Sequence, residues 1–172
     1  MLSQEFRYYE GKEEKKLYLQ KDYLADFTEN SSFIKNIDPK GKLLKKQGTV
    51  SIYQVGDPKI RNQIQKGTLT KSLKPQSKLS EVFSTHPSGG PKIALPGNII
   101  IKFKDSVSKS QIDQILQSKN LKVIRIQKIL EQDYYIIESP SGLASLELAN
   151  QLASLPEVEY SKPDLWIEIS KR

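Results

Sequence analysis

Few side chains in this 172-residue chain could take part in catalysis or bind a metal ion, because it has no cysteine and only one histidine, His86. The absence of cysteine excludes disulfide scaffolds, thiolate zinc sites and cysteine nucleophiles, and one histidine cannot build a multi-histidine metal centre. A Ser-His-Asp triad needs a histidine beside an activated serine. His86 instead lies in the turn-like stretch 84–90, which lacks the strand-to-helix context of a nucleophile. We therefore predict a non-catalytic protein without metal or cofactor.

Basic residues are concentrated in the first half of the chain. The net charge of +7 divides into +6 for residues 1–90 (16 basic, 10 acidic) and +1 for the remainder (11 basic, 10 acidic). Such a stretch can indicate binding to nucleic acid or to an anionic surface. Between Lys40 and Lys78, however, Tyr53 is the only aromatic residue available for base stacking. We interpret these residues as a solvated, mobile connection and predict no nucleic-acid partner.

No segment of the sequence is apolar enough to suggest a membrane span or a signal peptide. The longest strongly apolar run is Ile99–Ile101, whereas a spanning helix needs roughly 20 apolar residues. Met1–Glu10 lacks the apolar stretch of a signal peptide. We expect no membrane partner, and we expect either that the protein is not exported or that its export signal is not contained in this sequence.

The second half of the sequence predicts an α+β domain. Ser108 followed by Gln111 has the spacing of a capping box at a helix start. Alternating and helical periodicities then give the order βαββαβ, with predicted elements at Asn98–Lys104, a helix after Ser108 that stops at Asn120, Leu121–Ile129, Tyr134–Ser139, Leu143–Leu155 and Val158–Ser161. Right-handed crossovers make this a ferredoxin-like fold, an antiparallel sheet with two helices on one face. That plan hosts many functions.

The first half contains a partial internal repeat of the second. Residues 16–32 align without a gap on residues 92–108, which places Ala25 on Ile101. We interpret the first half as a smaller, degenerate, strand-rich copy of the same plan, in which the polar stretch 59–78 replaces the second helix. Chance similarity between short strands is the alternative. The predicted divisions are 1–90 for this copy and its basic linker, 91–164 for the ferredoxin-like domain and 165–172 for a tail.

The sequence resembles a known family. The run PGNIIIKFKDSVS at 96–108, the segment Leu146–Tyr160 and the triplet Lys162-Pro163-Asp164 are similar to the propeptide domain of subtilisin-like serine proteases. Residues 1–90 resemble, more weakly, the longer N-terminal regions of some bacterial and cyanobacterial subtilases. The resemblance implies a ferredoxin-like prodomain that assists folding of the protease catalytic domain and inhibits it, with the catalytic domain as partner. It also implies a secreted or cell-envelope protein.

The resemblance further implies two groups of contact residues. In the family the propeptide sheet packs on two surface helices of the catalytic domain, and the C-terminal tail lies in the active-site cleft like a substrate. The tail here comprises Leu165, Trp166, Ile167, Glu168, Ile169, Ser170, Lys171 and Arg172. Its alternating apolar residues suit addition as a strand to a substrate-binding edge.

By the family's usual spacing, the processing position falls within about two residues of Ser170. Ile167 would then lie near the apolar pocket four residues from the cleaved bond. The acidic residues Glu131 and Asp133, in the predicted connection 131–133, are candidates for contact with helix N-termini of the protease. The alternatives are an edge strand or disordered terminus for the tail, and ordinary solvated turn residues for the acidic pair.

Three other functions remain open from the sequence. A stand-alone subtilase inhibitor of the same fold would show the same features. An RNA-binding ferredoxin-like domain would use aromatic residues on its central strands, for which Phe103, Tyr134 and Tyr135 are available. A regulatory domain that binds small molecules would share the fold, although no ligand-specific residues stand out.

Overall fold

The computed structural model describes residues 3–29, 32–74 and 77–169, which form two antiparallel sheets and five helices. The second half has the elements β7 (Ile99–Phe103), α4 (Lys109–Ser118), β8 (Val123–Ile129), β9 (Gln132–Ile137), α5 (Leu143–Ala153) and β10 (Val158–Pro163). The strand order is β10-β7-β9-β8, and every neighbouring pair is antiparallel. This is the ferredoxin-like arrangement, so the predicted α+β fold class is confirmed. None of the described helices is long and apolar enough to cross a membrane.

Local sequence signals account for α4. The Ser108 hydroxyl accepts a hydrogen bond from Gln111 N, and the Gln111 side chain accepts one from Ser108 N, so the predicted capping box is present. Ile112 and Leu116 are buried against the sheet. Asn120 adopts a positive φ of 52°, which ends the helix as expected for Asn in the left-handed region. The C-terminal core contains the helix and strand residues Ile99, Ile101, Phe103, Ile112, Leu116, Tyr135, Ile137, Ala149, Leu152 and Val158.

The connection between β8 and β9 is shorter than the predicted 131–133 segment. Leu130 and Glu131 both have positive φ, 48° and 63°, and Ile129 pairs directly with Gln132. Two left-handed residues make the tight hairpin turn whose twist suits antiparallel strands. Consequently Gln132 and Asp133 belong to β9, and the strand begins before the predicted Tyr134.

The first half forms a second sheet. Its elements are β1 (Glu5–Glu10), β2 (Glu13–Asp26), α1 (Ser32–Ile37), β3 (Lys42–Gln47), β4 (Val50–Gln54), α2 (Pro58–Gln65), α3 (Leu69–Ser72) and β5 (Leu79–Ser84). Two short strands from later in the chain, β6 (Ile93–Ala94) and β11 (Trp166–Ile167), complete the order β11-β6-β5-β2-β4-β3, with β1 paired to β2. Helix and strand residues pack together in the N-terminal core, which contains Tyr8, Leu17, Leu19, Leu24, Ile34, Tyr53, Val55, Ile64, Leu69, Phe83, Ile93, Leu95, Leu143 and Leu146.

The basic stretch between Lys40 and Lys78 is not the mobile connection that its composition suggests. It contains β3, β4, α2 and α3, and Ile64 and Leu69 are fully buried in the N-terminal core. Most of the lysines occupy exposed positions around these few apolar anchors, and Lys45 is half-buried. Because so many residues of the stretch are basic, its composition did not suggest the helix α2. Asp57 caps the N-terminus of this helix, and Pro58 is its first residue.

The two halves share a strand order but not the predicted residue alignment. Along the chain, the first half runs β2-α1-β3-β4-α2/α3-β5. Its four strands lie side by side in the order β5-β2-β4-β3, which matches the order β10-β7-β9-β8 of the second half. Ile101 faces the helices of its half. Ala25, which the alignment places on Ile101, faces away from the helices, whereas its neighbour Leu24 faces them. A shift of one residue exchanges the faces of a strand, so the gapless alignment is wrong, and a duplication stays a prediction.

The seven-stranded sheet curls until side chains from one edge strand reach the chain beside the other. β3 and β11 stand at opposite ends of the strand order, and five steps of about 4.8 Å would separate them by about 24 Å in a flat sheet. Yet Lys45 of β3 forms an ion pair of 3.0 Å with Glu168, the residue after β11. The curl encloses an inner cluster on the face away from the helices, composed of Ala25, Val50, Ile52, Val82 and Ala94 with Tyr23, Phe27 and Trp166 packed against it.

Helix α5 joins the two halves. Leu143 and Leu146 in its first turns belong to the N-terminal core, whereas Ala149 and Leu152 belong to the C-terminal core. The cap residue of the helix makes no side-chain hydrogen bond of its own. Instead the fully buried Glu81 of β5 accepts hydrogen bonds from Leu143 N at 3.1 Å and from the Thr70 hydroxyl at 2.7 Å. A carboxyl group of the first half thereby caps a helix of the second.

Candidate functional site

The chain that leaves β10 enters the sheet of the first half. We call Leu165–Ile169 the exit segment. Within it, β11 pairs antiparallel with β6, with Trp166 opposite Ala94 and Ile167 opposite Ile93. Leu165 packs against the N-terminal core and Trp166 against the inner cluster. The remaining tail residues of the sequence prediction, Ser170, Lys171 and Arg172, lie outside the described residues.

Glu168 lies at the centre of a group of polar contacts. Its carboxylate accepts hydrogen bonds from Lys45 Nζ at 3.0 Å and from the backbone N–H of Lys92 at 3.0 Å, while Glu168 N donates to Lys92 O at 2.8 Å. Only 14% of its side chain is exposed. Burial by itself raises the pKa of Glu168, but the hydrogen bond from Lys92 and the Lys45 ammonium more than offset that effect, so its pKa lies below the ordinary value.

The exit segment shows the alternation expected from the sequence. Trp166 packs inward and Glu168 is largely buried, whereas the side chains of Ile167 and Ile169 are 53% and 68% exposed. Because β11 is the last strand of its sheet, its outer edge has no strand partner among the described residues. At Ile169 the outer edge is already in use, because Ile169 N donates to Gln47 and Ile169 O lies 3.4 Å from Lys45 Nζ. At Ile167 the outer main-chain edge and the projecting apolar side chain can pair with the strand-like edge of another protein.

The two acidic candidates lie apart from the exit segment. Glu131 is 93% exposed at the β8–β9 turn, with Lys128 Nζ 3.9 Å away, and Asp133 is exposed on β9. The exit segment follows Asp164, whose N–H donates to Asn98 O beside β7. Since Ile99 pairs with Ile137 at that end of β9, the turn lies about five residues, or about 17 Å, further along the sheet.

An uncovered sheet face lies between these two places. Helices α4 and α5 cover the face that carries Ile99 and Ile101, and no described helix covers the opposite face. That face carries the alternate residues Ile100, Lys102, Tyr134, Ile136, Tyr160 and Lys162. Lys102 and Ile136 are buried there, and Lys162 lies 3.4 Å from Glu10 of β1. Tyr134 and Tyr160 meet edge to face with ring centroids 6.3 Å apart, and Ile124 at the margin is 48% exposed. In the sequence, the alternation of Ile100 and Lys102 with the core positions Ile99 and Ile101 indicates this face.

The described residues do not form a site for RNA binding, for a catalytic triad or for a metal ion. Phe103 and Tyr135 are buried and pack on each other under the helices, while Tyr134 lies on the opposite face, so the three do not form one stacking platform. The Ser84 hydroxyl donates to His86 O at 2.6 Å, and His86 is exposed. The described residues also contain no group of three or more His, Cys, Asp or Glu side chains placed to hold a metal ion.

Comparison with known families supports one of the sequence-based interpretations. Residues 87–164 match a family model described as the fervidolysin N-terminal prodomain. The matched part runs from just before β6 through β10 to the residue before the exit segment. The match confirms, for this segment, the resemblance to the prodomain of a subtilisin-like protease. No individual curated protein matches the chain.

Proposed function

We propose that this chain, whose residues 87–164 match a prodomain of the subtilisin-like protease class, assists folding of a protease catalytic domain and inhibits it. The exit segment and the residues after it enter the active-site cleft, and the uncovered sheet face packs on the catalytic domain. The chain is then a non-catalytic part or partner of a secreted or cell-envelope protease. The sequence left an edge strand open as an alternative for the tail, and Trp166–Ile167 do form the edge strand β11. The observation that carries the proposal is that Ile167 and Ile169 project outward there, directly after the matched segment.

The alternation of the exit segment suits a substrate-like role. If cleavage follows Ser170, Ile167 is the fourth residue before the cleaved bond and Ile169 the second. Both are exposed and apolar, so each can enter a pocket while the main chain at Ile167 pairs along the outer edge of β11. Glu131 and Asp133 offer a second contact, in which their carboxylates approach helix N-termini of the catalytic domain.

The proposal is tested by titrating the full chain into an active subtilisin-like protease and measuring hydrolysis of a chromogenic peptide. We expect inhibition by the unmodified chain and a large loss of inhibition in Ile167→Asp and Ile169→Asp, because a buried, unpaired carboxylate in an apolar pocket is strongly unfavourable. Leu43→Asp is the matched control. Leu43 is 55% exposed and lies on β3, at the other end of the strand order from β11, beside Tyr53 of the N-terminal core.

A refolding experiment tests the folding role separately. Denatured catalytic domain is diluted into buffer with and without the chain, and recovered activity is measured after the chain has been digested. Faster recovery with the chain supports the folding role. Absence of both inhibition and assisted refolding for the unmodified chain would remove the proposed function.

A further inference from the structure

The first half of the chain holds the exit segment from both edges of the curled sheet. On one edge, β6 supplies main-chain pairing, and the backbone N–H and C=O of Lys92 both bond to Glu168. On the other edge, Lys45 Nζ binds the Glu168 carboxylate and lies 3.4 Å from Ile169 O. Gln47 accepts a hydrogen bond from Ile169 N at 3.3 Å. All of these partners lie outside the ferredoxin-like unit that begins at β7.

We infer that the first half of the chain, residues 3–95, is a clamp that fixes the exit segment and so positions the bond to be cleaved in the protease active site. Lys45 and Lys92 are its positioning residues and Glu168 is the residue they hold. This inference rests on the proposed function, because it assigns a task to the part of the chain that the prodomain match leaves mostly uncovered.

Glu168 is held both by opposite charges and by directional hydrogen bonds. Two lysine residues approach one carboxylate that is mostly shielded from water, and charge-assisted hydrogen bonds of this kind are about twice as strong as neutral ones. Lys92 also stacks its ammonium 4.8 Å from the centre of the Tyr23 ring, so the residue that donates to Glu168 is itself fixed by β2. Such contacts hold the backbone of the segment at one register.

Apolar contacts select the register of the same segment. Leu165 packs into the N-terminal core and Trp166 into the inner cluster, on the two opposite faces of the sheet. A slip by one residue would bring Glu168 or Ile167 to the wrong face. The clamp thus fixes which side chains of the exit segment project outward, and these are Ile167 and Ile169.

The clamp also limits where cleavage can occur. A chain extends by at most about 3.6 Å per residue, so a bond two residues beyond Glu168 lies within roughly 7 Å of that anchor. A tail without these contacts would occupy many positions, and its conformational entropy would be lost when it binds the protease. With the clamp, the segment is already ordered when the chain folds, so this loss of entropy does not weaken binding to the protease.

The test compares Lys45→Met with Lys46→Met in the full chain. Lys45 pairs with Ile52 and shares the inner face, whereas its neighbour Lys46 pairs with Ser51 and is exposed. Hydrogen exchange of the peptide that covers the exit segment is measured together with the inhibition constant for a subtilisin-like protease. For Lys45→Met we expect roughly tenfold faster exchange and roughly tenfold weaker inhibition, and for Lys46→Met the values of the unmodified chain, since loss of one hydrogen bond to a charged group is of this size.

The outcomes separate this inference from the proposed function. Equal exchange in Lys45→Met and Lys46→Met would overturn the clamp, as would a loosened segment with unchanged inhibition and unchanged cleavage position. If the unmodified chain does not inhibit, the inhibitory part of the proposed function fails, and exchange alone still decides whether the segment is clamped. Glu168→Gln with Glu13→Gln as control, an exposed carboxylate paired with Lys15, repeats the comparison from the other partner and guards against misfolding of one variant.

Discussion

Replacement of Glu81 by glutamine should change how the stability of the chain depends on pH. The Glu81 carboxyl group is fully buried between β5, α3 and α5, where it accepts hydrogen bonds from the Thr70 hydroxyl and from Leu143 N. Burial raises the pKa of Glu81 above its ordinary value of 4.5, and the hydrogen bonds from Thr70 and Leu143 only partly counteract that effect. The folded protein therefore retains this proton at pH values where the unfolded chain has released it.

The sign and size of the effect follow from proton linkage. Between pH 4.5 and the folded-state pKa the native state binds more protons at Glu81 than the unfolded state, so rising pH lowers the free energy of unfolding. One proton gives a slope of at most about 1.4 kcal/mol per pH unit. Below pH 4.5 the stabilisation is fully present, and it is lost as the pH rises through the folded-state pKa. Glutamine cannot ionise; its amide oxygen can accept from Leu143 N, and its amide NH2 can donate to the Thr70 hydroxyl, which can also act as an acceptor.

Urea denaturation of the unmodified chain and Glu81→Gln between pH 4 and 8 checks this reasoning. We expect the stability of the variant relative to the unmodified chain to increase with pH over this window. Glu138→Gln, which alters an exposed carboxylate paired with Lys122, should show no such trend. A difference between Glu81→Gln and the unmodified chain that stays constant with pH would refute the argument. Glu81→Ala should be destabilised at every pH, by about 3 kcal/mol, because it leaves Leu143 N and the Thr70 hydroxyl without their acceptor.

Three further substitutions probe the fold, each measured by urea denaturation. Gly97→Ala should lose about 2 kcal/mol or more, because Gly97 has a φ of +101° and a β-carbon there would lie 2.6 Å from Ser139 O. Ser108→Ala should lose about 1 kcal/mol through the α4 cap, whereas Ser110→Ala on the exposed side of the same helix should change stability by less than about 0.5 kcal/mol. Asp38→Ala should lose about 3 kcal/mol, because this buried carboxylate accepts bonds of 2.7 and 3.1 Å from two backbone N–H groups before α2; a loss below 1 kcal/mol would contradict that role.

The ferredoxin-like half could be predicted because its signals are local. Ser108 and Gln111 specify the start of α4 by side chains three residues apart, and Ile112 and Leu116 mark its buried face. The alternation from Ile99 to Phe103 identifies a strand whose partners come from the same half. Each element there carries enough information in its own residues to specify its type and its buried side.

The first half could not be predicted to the same degree because its core is completed from elsewhere. Helix α2 buries a single residue, Ile64, and the N-terminal core that receives it includes Leu143 and Leu146 of α5. A basic segment with one apolar residue is expected to lie in solvent unless the residues of α5 that cover it are known. β6 is only two residues long, Ile93–Ala94, too short for periodicity to detect, so the strand that receives the exit segment was not visible in the sequence.

For the exit segment, the sequence predicted the alternation of side chains but not the residues that the segment contacts. Its alternation was evident, and the structure shows Trp166 packed inward while Ile167 and Ile169 project. The sequence could not indicate that Glu168 meets Lys45, a residue more than 120 positions away. That contact depends on the curl of a whole sheet, which is a property of seven strands together and of none alone.

The two halves depend on each other physically. Helix α5 divides its buried face between both cores, and Glu81 of the first half caps its N-terminus. The sheet of the first half in turn takes β11 from the residues that follow β10. Disrupting the first half would therefore uncover Leu143 and Leu146 and release the exit segment at the same time. Any process that loosens the first half would also loosen the segment that carries Ile167 and Ile169, so under the proposed function we expect the stability of the chain and its inhibition of a protease to be coupled through α5.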